Sequence, residues 1–300
     1  APAAIADVTA AAAANGSGLE SARIPLLTLS GVSLRAVTGE VNEASLTVHA
    51  GELVGVVGLT SSGVVTLGQV AAGALRAETG QVTLHPPGAE PVVITRRDLA
   101  QRAGIGYVPE DRRAAGFVGA LSIAENITMA MPAPVGRVGN PLRNLTTAGR
   151  RSAVARPLAE SLHIAASSLR QPVSELSGGN QQKVTVARAL AGRPSVLVAI
   201  TPTRGVDVAS KDVLLGALRA AGARGLGVLV ATDDLDDLEI CDRVLVLVRG
   251  RVTAEFDQTA VTGPGGRSTD STTSSSTDRT PVDRATLIAA IEGISTEGNR

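Results

Sequence analysis

Five short apolar runs punctuate the chain: Leu53–Val57, Ile105–Val108, Val196–Ile200, Val228–Ala231 and Val244–Val248. Such runs are typical of strands buried on both faces. Ala44–Val48 alternates apolar and polar positions as a strand should, and β-compatible runs lie between Leu26 and Val41. Helical spacing follows Gly63, runs from Gly178 through Leu190, returns from about Ser210 to Ala221, and appears briefly over Leu235–Ile240. Strands that alternate with helices predict an α/β fold with a parallel sheet covered on both faces. Between Glu110 and Glu175 the pattern turns helical, notably over Ala148–Leu162, which predicts a helical subdomain at about 111–175 inserted in the α/β core.

The same pattern divides the chain. Residues 1–22 read as a flexible Ala-rich leader and 23–261 as the folded domain. Residues 262–282, rich in Ser, Thr, Gly and Asp, read as a disordered linker, because they have too little apolar surface to offset chain entropy. Residues 283–300 form a terminal helix, centred on Ala285–Ile291, and a tail. There is no internal repeat.

Composition sharpens this picture in three respects. Hydrophobic residues make up 44% of the 300, yet the aromatic ones are only Tyr107, Phe117 and Phe256, so the core is aliphatic. Lys plus Arg (28) equals Asp plus Glu (28), which removes any global field for nucleic acid or an anionic membrane. The single cysteine, Cys241, cannot form an internal disulfide and suits a reducing compartment. No apolar run approaches the roughly 18–20 residues of a membrane helix. The start, which lacks both Met and a basic segment, reads as a poor signal peptide and as the start of a fragment or processed chain. The glycosylation sequons at Asn126 and Asn144 read as chance matches.

Candidate chemistry begins at Leu176-Ser177-Gly178-Gly179-Asn180-Gln181-Gln182-Lys183. Two glycines feed a helix whose first-turn N–H groups have no partner within it, and Ser177 stands at the cap position. That junction suits an anion. A second candidate, Gly58-Leu59-Thr60-Ser61-Ser62-Gly63, joins a buried strand to a helix in the manner of a phosphate loop. The next two residues of such a loop are Lys, which neutralises phosphate charge, and Ser or Thr, which ligates Mg²⁺. Val64 and Val65 stand there and do neither. The backbone of Gly58 and Gly63, with the hydroxyls of Ser61, Ser62 and Thr66, is left as an anion nest.

The eight residues from Leu176 resemble the signature motif of ATP-binding-cassette (ABC) ATPases in their sugar-importer form. Four further matches in order extend the resemblance over about residues 25–256: the Gly58–Gly63 loop, Tyr107-Val108-Pro109-Glu110-Asp111-Arg112-Arg113, Leu121–Asn126, and Cys241–Val246. The resemblance is to the second cassette of ribose-, galactose- and xylose-type importer ATPases, whose full-length members carry two. It implies a P-loop NTPase-like cassette with an antiparallel N-terminal β portion. Aligning Pro202 and Thr203 with the family puts Ile200 at the Mg²⁺-organising Asp, Thr201 at the catalytic Glu, and Asp207 at the D-loop. Asp233 lies near the place of the switch His, Glu110 matches the Q-loop, and no aromatic residue precedes Tyr107 to stack adenine.

The resemblance implies that no catalytic residue is intact on this chain and that it holds no metal by itself. Leu176, Ser177, Gly178, Gly179, Asn180 and Gln181 would act in trans, completing an ATP·Mg²⁺ site on an intact partner cassette. Binding at the local loop, Gly58, Ser61, Ser62, Gly63, Val64, Val65 and Thr66, would be weak or absent. The implied partners are that cassette, an integral-membrane permease and a periplasmic or lipoprotein sugar-binding protein, with no nucleic acid. The implied location is peripheral, on the cytoplasmic face of the cell membrane. Two alternatives stay open: an active homodimeric ABC ATPase, and a non-catalytic regulatory module derived from a cassette.

Overall fold

The computed structural model describes residues 24–59, 61–131, 148–258 and 284–292. In chain order its elements are β1 (Pro25–Ala36), β2 (Gly39–His49), β3 (Leu53–Val57), α1 (Val64–Ala71), β4 (Thr79–Leu84), β5 (Val92–Val93), α2 (Arg97–Ala103) and β6 (Ile105–Val108). There follow α3 (Ile123–Met129), α4 (Ala148–Ser161), α5 (Gly178–Ala191), β7 (Val196–Ile200), α6 (Val208–Ala223), β8 (Gly227–Thr232), β9 (Arg243–Val248), β10 (Arg251–Asp257) and α7 (Arg284–Glu292).

All five apolar runs fall in one six-stranded sheet, ordered β10-β9-β3-β8-β7-β6. Its pairings are parallel except that β10 lies antiparallel at the edge. Every residue of β3, β7 and β8 is buried. That explains the continuous apolar runs, each such Val or Leu contributing about 1.5–3 kcal/mol. A second, antiparallel sheet, ordered β2-β1-β4-β5, carries the alternating segment. One aliphatic cluster lies between this sheet, α1 and one face of the six-stranded sheet. Another joins the opposite face to α5, α6 and the helical region.

The fold is α/β, with the parallel core and the antiparallel N-terminal portion that the sequence suggests. Between Asp111 and Leu176 the described residues hold no strand. Backbone bonds from Ile123 to Gln171, from Ala124 to Leu169 and from Val173 to Leu121 draw the two ends of this stretch together. Asn126 secures that closure. Its side chain is fully buried, accepts from Val118 N at 2.7 Å, and donates to the carbonyls of Val118, Leu121 and Ser122. The Asn126 sequon is therefore inaccessible in the folded chain; the Asn144 sequon lies outside the described residues.

Some elements escaped the hydrophobic pattern. β4, β5, α2 and β10 are short or contain few buried residues. Leu235–Ile240 winds as a 3-10 helix. Cys241 is buried, and burial pushes its thiol pKa upward, away from reactivity. The predicted leader and linker lie outside the described residues. Among the described residues, no helix is long and apolar enough to cross a membrane.

Candidate functional site

The loop after β3 has the turn that its glycines require. A Cβ on Gly58 would sit 2.3 Å from the Leu247 carbonyl. Gly63, at φ +94°, is the N-cap of α1, and a Cβ there would lie 2.1 Å from the Glu40 carbonyl. Only glycine fits both places. The loop is not open, however. Ser62 bridges Gly39 in the β1–β2 turn, and its carbonyl accepts from Gly250 N at 2.9 Å. The Thr66 hydroxyl donates to Gly39 O at 2.9 Å and lies 2.7 Å from Thr38 Oγ1. Ser62 Oγ is buried without a partner, while Ser61 is exposed. Of the three hydroxyls considered for an anion nest, only that of Ser61 faces solvent.

Val64 and Ile200 are 4% and 0% exposed and belong to one aliphatic cluster with Val56, Leu67, Val198 and Ala231. Val65 packs against its edge. A Cβ on Gly68 of α1 would lie 2.9 Å from Ile200 Cδ1, so α1 rests directly on that side chain. The positions that resemble a phosphate-binding Lys and a metal-organising Asp are thus filled with packed hydrocarbon. Thr201, beside them, is 4% exposed, holds a left-handed φ of 41°, and has a buried hydroxyl with no partner. Mg²⁺ requires oxygen ligands, and a triphosphate requires cations and N–H donors. These residues do not fit Mg²⁺–ATP. Among the described residues, no group of three or more His, Cys, Asp or Glu is arranged to hold a metal.

The second candidate has the opposite character. Ser177 is exposed and N-caps α5, with Oγ accepting from Asn180 Nδ2 at 3.0 Å and from Asn180 N at 3.5 Å. Gly178 is half-buried beside it. Gly179 faces inward, where a Cβ would stand 2.5 Å from Ser210 Oγ and 3.0 Å from Asp207 Oδ2. Asp207 in turn N-caps α6, accepting from Ser210 N and Ser210 Oγ, each at 2.9 Å. Those hydrogen bonds hold its carboxyl below the usual carboxylate range. Leu176 is buried, and Asn180 Oδ1 accepts from Ala165 N at 2.9 Å. Gln181 does not join the exposed face. It is 8% exposed and its amide donates to Val173 O at 3.3 Å.

Arg112 lies in the Tyr107–Arg113 match, but no role was expected of it. Its Nη1 donates to Arg204 O at 2.9 Å, and its Nη2 lies 2.9 Å from where a Gly178 Cβ would stand. Burial, and then the charge of Arg113, lowers its pKa. Arg204 Nη1 reaches Glu110 Oε1 at 3.2 Å. Glu110, Arg112, Arg204 and the turn at Ser177–Gly178 therefore meet at one place. No spacing in the sequence signals this, because the contacts cross 92 residues in one case and 94 in another.

Asp233 is exposed at the end of β8. The buried acid nearby is Asp237, which accepts from Thr203 Oγ1 at 2.5 Å and from Thr232 Oγ1 at 2.9 Å. Burial raises its pKa, against the opposing effect of those two hydroxyls. Asp237 ties the loop after β7 to the end of β8. Lys211 pairs with Asp234 at 2.7 Å and with Asp236 at 3.0 Å on the outer side.

The chain is similar to ribose import ATP-binding proteins. It is 37% identical over 234 residues to RbsA 1 of Rubrobacter xylanophilus, covering 77% of this chain and 44% of that protein. It is 34% identical over 221 residues to RbsA of Corynebacterium glutamicum, covering 73% and 40%. The chain thus spans less than half the length of the curated relatives it matches. Its fold is that of a nucleotide-free ATP-binding cassette from an ABC transporter (TM-score 0.63, 20% identity, 78% of this chain and 92% of that one). It also matches the dimeric structure of a bacterial ABC transporter cassette (TM-score 0.64, 20% identity, 77% and 98%). The family model for ABC transporters covers residues 41–204, over half of the chain, and the chain belongs to that family.

Proposed function

We propose that this chain is the degenerate half of a composite ABC ATPase that drives sugar import. The observation that carries this reading is a contrast. Ser177 is exposed at a turn beside a guanidinium, while Val64 and Ile200 are sealed in aliphatic packing. One half of an ATP site is kept and the other is filled. The two halves serve different nucleotides if the chain faces a second cassette, and the dimeric cassette among its structural neighbours supports such an arrangement.

In that assembly the partner holds ATP·Mg²⁺ with its own Lys, Asp and Glu. Ser177 Oγ, the N-terminal N–H groups of α5 and Arg112 would face the terminal phosphate and stabilise its charge as the phosphoryl group transfers to water. Asp207 and Ser210 hold the turn from beneath. The chain's own loop contributes no turnover. A homodimeric ATPase would need cations and carboxylates where Val64, Ile200 and Thr201 stand. The Glu110–Arg204–Arg112 link would pass closure to the helical insert and from there to a permease, supplied by a solute-binding protein. The names of the relatives favour ribose or a related sugar as cargo. The chain would sit peripherally on the cytoplasmic face of the membrane.

Turnover of ATP by the isolated chain, then with an intact first cassette added, tests this reading. Background turnover alone and activity on mixing is the expected result. Robust turnover by the chain alone contradicts it.

A further inference from the structure

A cavity of about 190 Å³ lies along β6, the edge strand of the large sheet, away from the signature turn. Two guanidinium groups line it: Arg97 from α2 and Arg188 from the last turn of α5. Tyr107 of β6 and Ala130, just past α3, also line it. Gln101 Nε2 donates to Ala130 O at 2.5 Å, which fixes the helical insert against α2 here.

Both arginines are only half satisfied. Arg97 donates to the carbonyls of Ala72 at 3.0 Å and Ile105 at 3.1 Å, and its guanidinium lies 5.1 Å from the centre of the Tyr107 ring. Arg188 Nη1 donates to the carbonyls of Gly116 at 2.8 Å and Ala115 at 3.3 Å. A guanidinium has five donors, so each has several left over. Among the described residues, neither arginine pairs with a carboxylate. Buried or half-buried cations are ordinarily paired, because desolvation is costly and like charges repel. Burial lowers the pKa of both, that of Arg97 to about 10, and the charge of Arg188 adds to the effect on Arg97.

We propose that this cavity is a binding site for a dianionic oxyanion, the phosphate of a small molecule or phosphate itself, held between Arg97 and Arg188. Two guanidinium groups lining one cavity, each with spare N–H donors, suit a tetrahedral oxyanion, and their double charge favours a dianion over chloride. The cavity has room for a phosphate with a small organic group attached. The bound anion would tie α2 to α5 beside the insert and stiffen that joint. The site stands apart from the phosphate loop and the signature, and it does not depend on the trans-acting role proposed above.

Tyr107 is the only tyrosine and the chain has no tryptophan, so intrinsic fluorescence reports from the wall of this cavity. Titration of the full chain with inorganic phosphate, at ionic strength held constant with sodium chloride, should change Tyr107 emission saturably. Sulfate should compete. Glycerol phosphate forms a second arm: tighter binding than inorganic phosphate identifies an organic phosphate as the ligand, and equal or weaker binding identifies free phosphate. Arg188→Gln, which keeps a hydrogen-bond donor for the Gly116 carbonyl, should weaken binding about tenfold or more. If that variant loses cooperative unfolding, Arg188→Lys, with the charge but not the fork, should weaken binding several-fold. A linear, unsaturable response of the wild-type chain overturns the proposal. So does a saturable response that persists unchanged in the folded Arg188 variant.

Discussion

At the scale of single residues, the degeneracy proposed for the local loop is a matter of packing as much as of missing charge. Val64 and Ile200 complement each other inside one cluster, so restoring a single polar residue strands it in hydrocarbon. Val64→Lys should lower stability by about 2 kcal/mol or more, read from its urea midpoint, and yield no turnover by the isolated chain. Arg112 carries a different expectation. Arg112→Ala should leave the fold intact, because the side chain is partly exposed, yet lower the turnover of the mixed cassettes about tenfold or more. Asp237 gives a pH signature. Burial raises its folded pKa above the ordinary 3.8, so the folded state keeps a proton that the unfolded state has lost. Stability from this group therefore falls as pH rises from about 3.8 through the folded value. The stability of the wild-type chain relative to Asp237→Asn should decrease as pH rises above about 4, as measured by urea unfolding at each pH.

At the scale of elements, the sequence was most legible where strands are buried on both faces. Leu53–Val57 and Val196–Ile200 coincide with β3 and β7 because continuous apolar runs have few other uses. β10 was illegible for the opposite reason: at the sheet edge its burial alternates weakly, and its pairing with β9 is set by the hairpin. The candidate site divides the same way. Ser177 at the N-cap of α5 announces itself through residue type and position, whereas Asp207 was expected only as a D-loop match and its place at the N-cap of α6 came from the structure. The role of the β1–β2 turn does not announce itself, because Thr38 and Gly39 meet Thr66 and Ser62 only in three dimensions. The inward turn of Gln181 was equally hidden. The helical insert depends on Asn126, whose four hydrogen bonds close it upon itself. Asn126→Ala should cost about 1–3 kcal/mol and speed amide hydrogen exchange in α3 and α4 ahead of the parallel sheet.

At the scale of the whole molecule, the chain is an ABC cassette in which Val64 and Ile200 are packed in hydrocarbon while Ser177 is exposed. Under the composite site proposed above, that contrast serves an assembly with a second cassette. The most direct test is ATP turnover by the chain mixed with an intact first cassette, comparing wild type with Ser177→Arg. The change adds bulk at an exposed cap, and loss of the cap itself costs about 1 kcal/mol, too little to unfold the domain. If Ser177–Gly178 completes the partner's site, turnover should fall about a hundredfold while the two cassettes still associate. Turnover that survives Ser177→Arg unchanged would contradict the trans-acting signature.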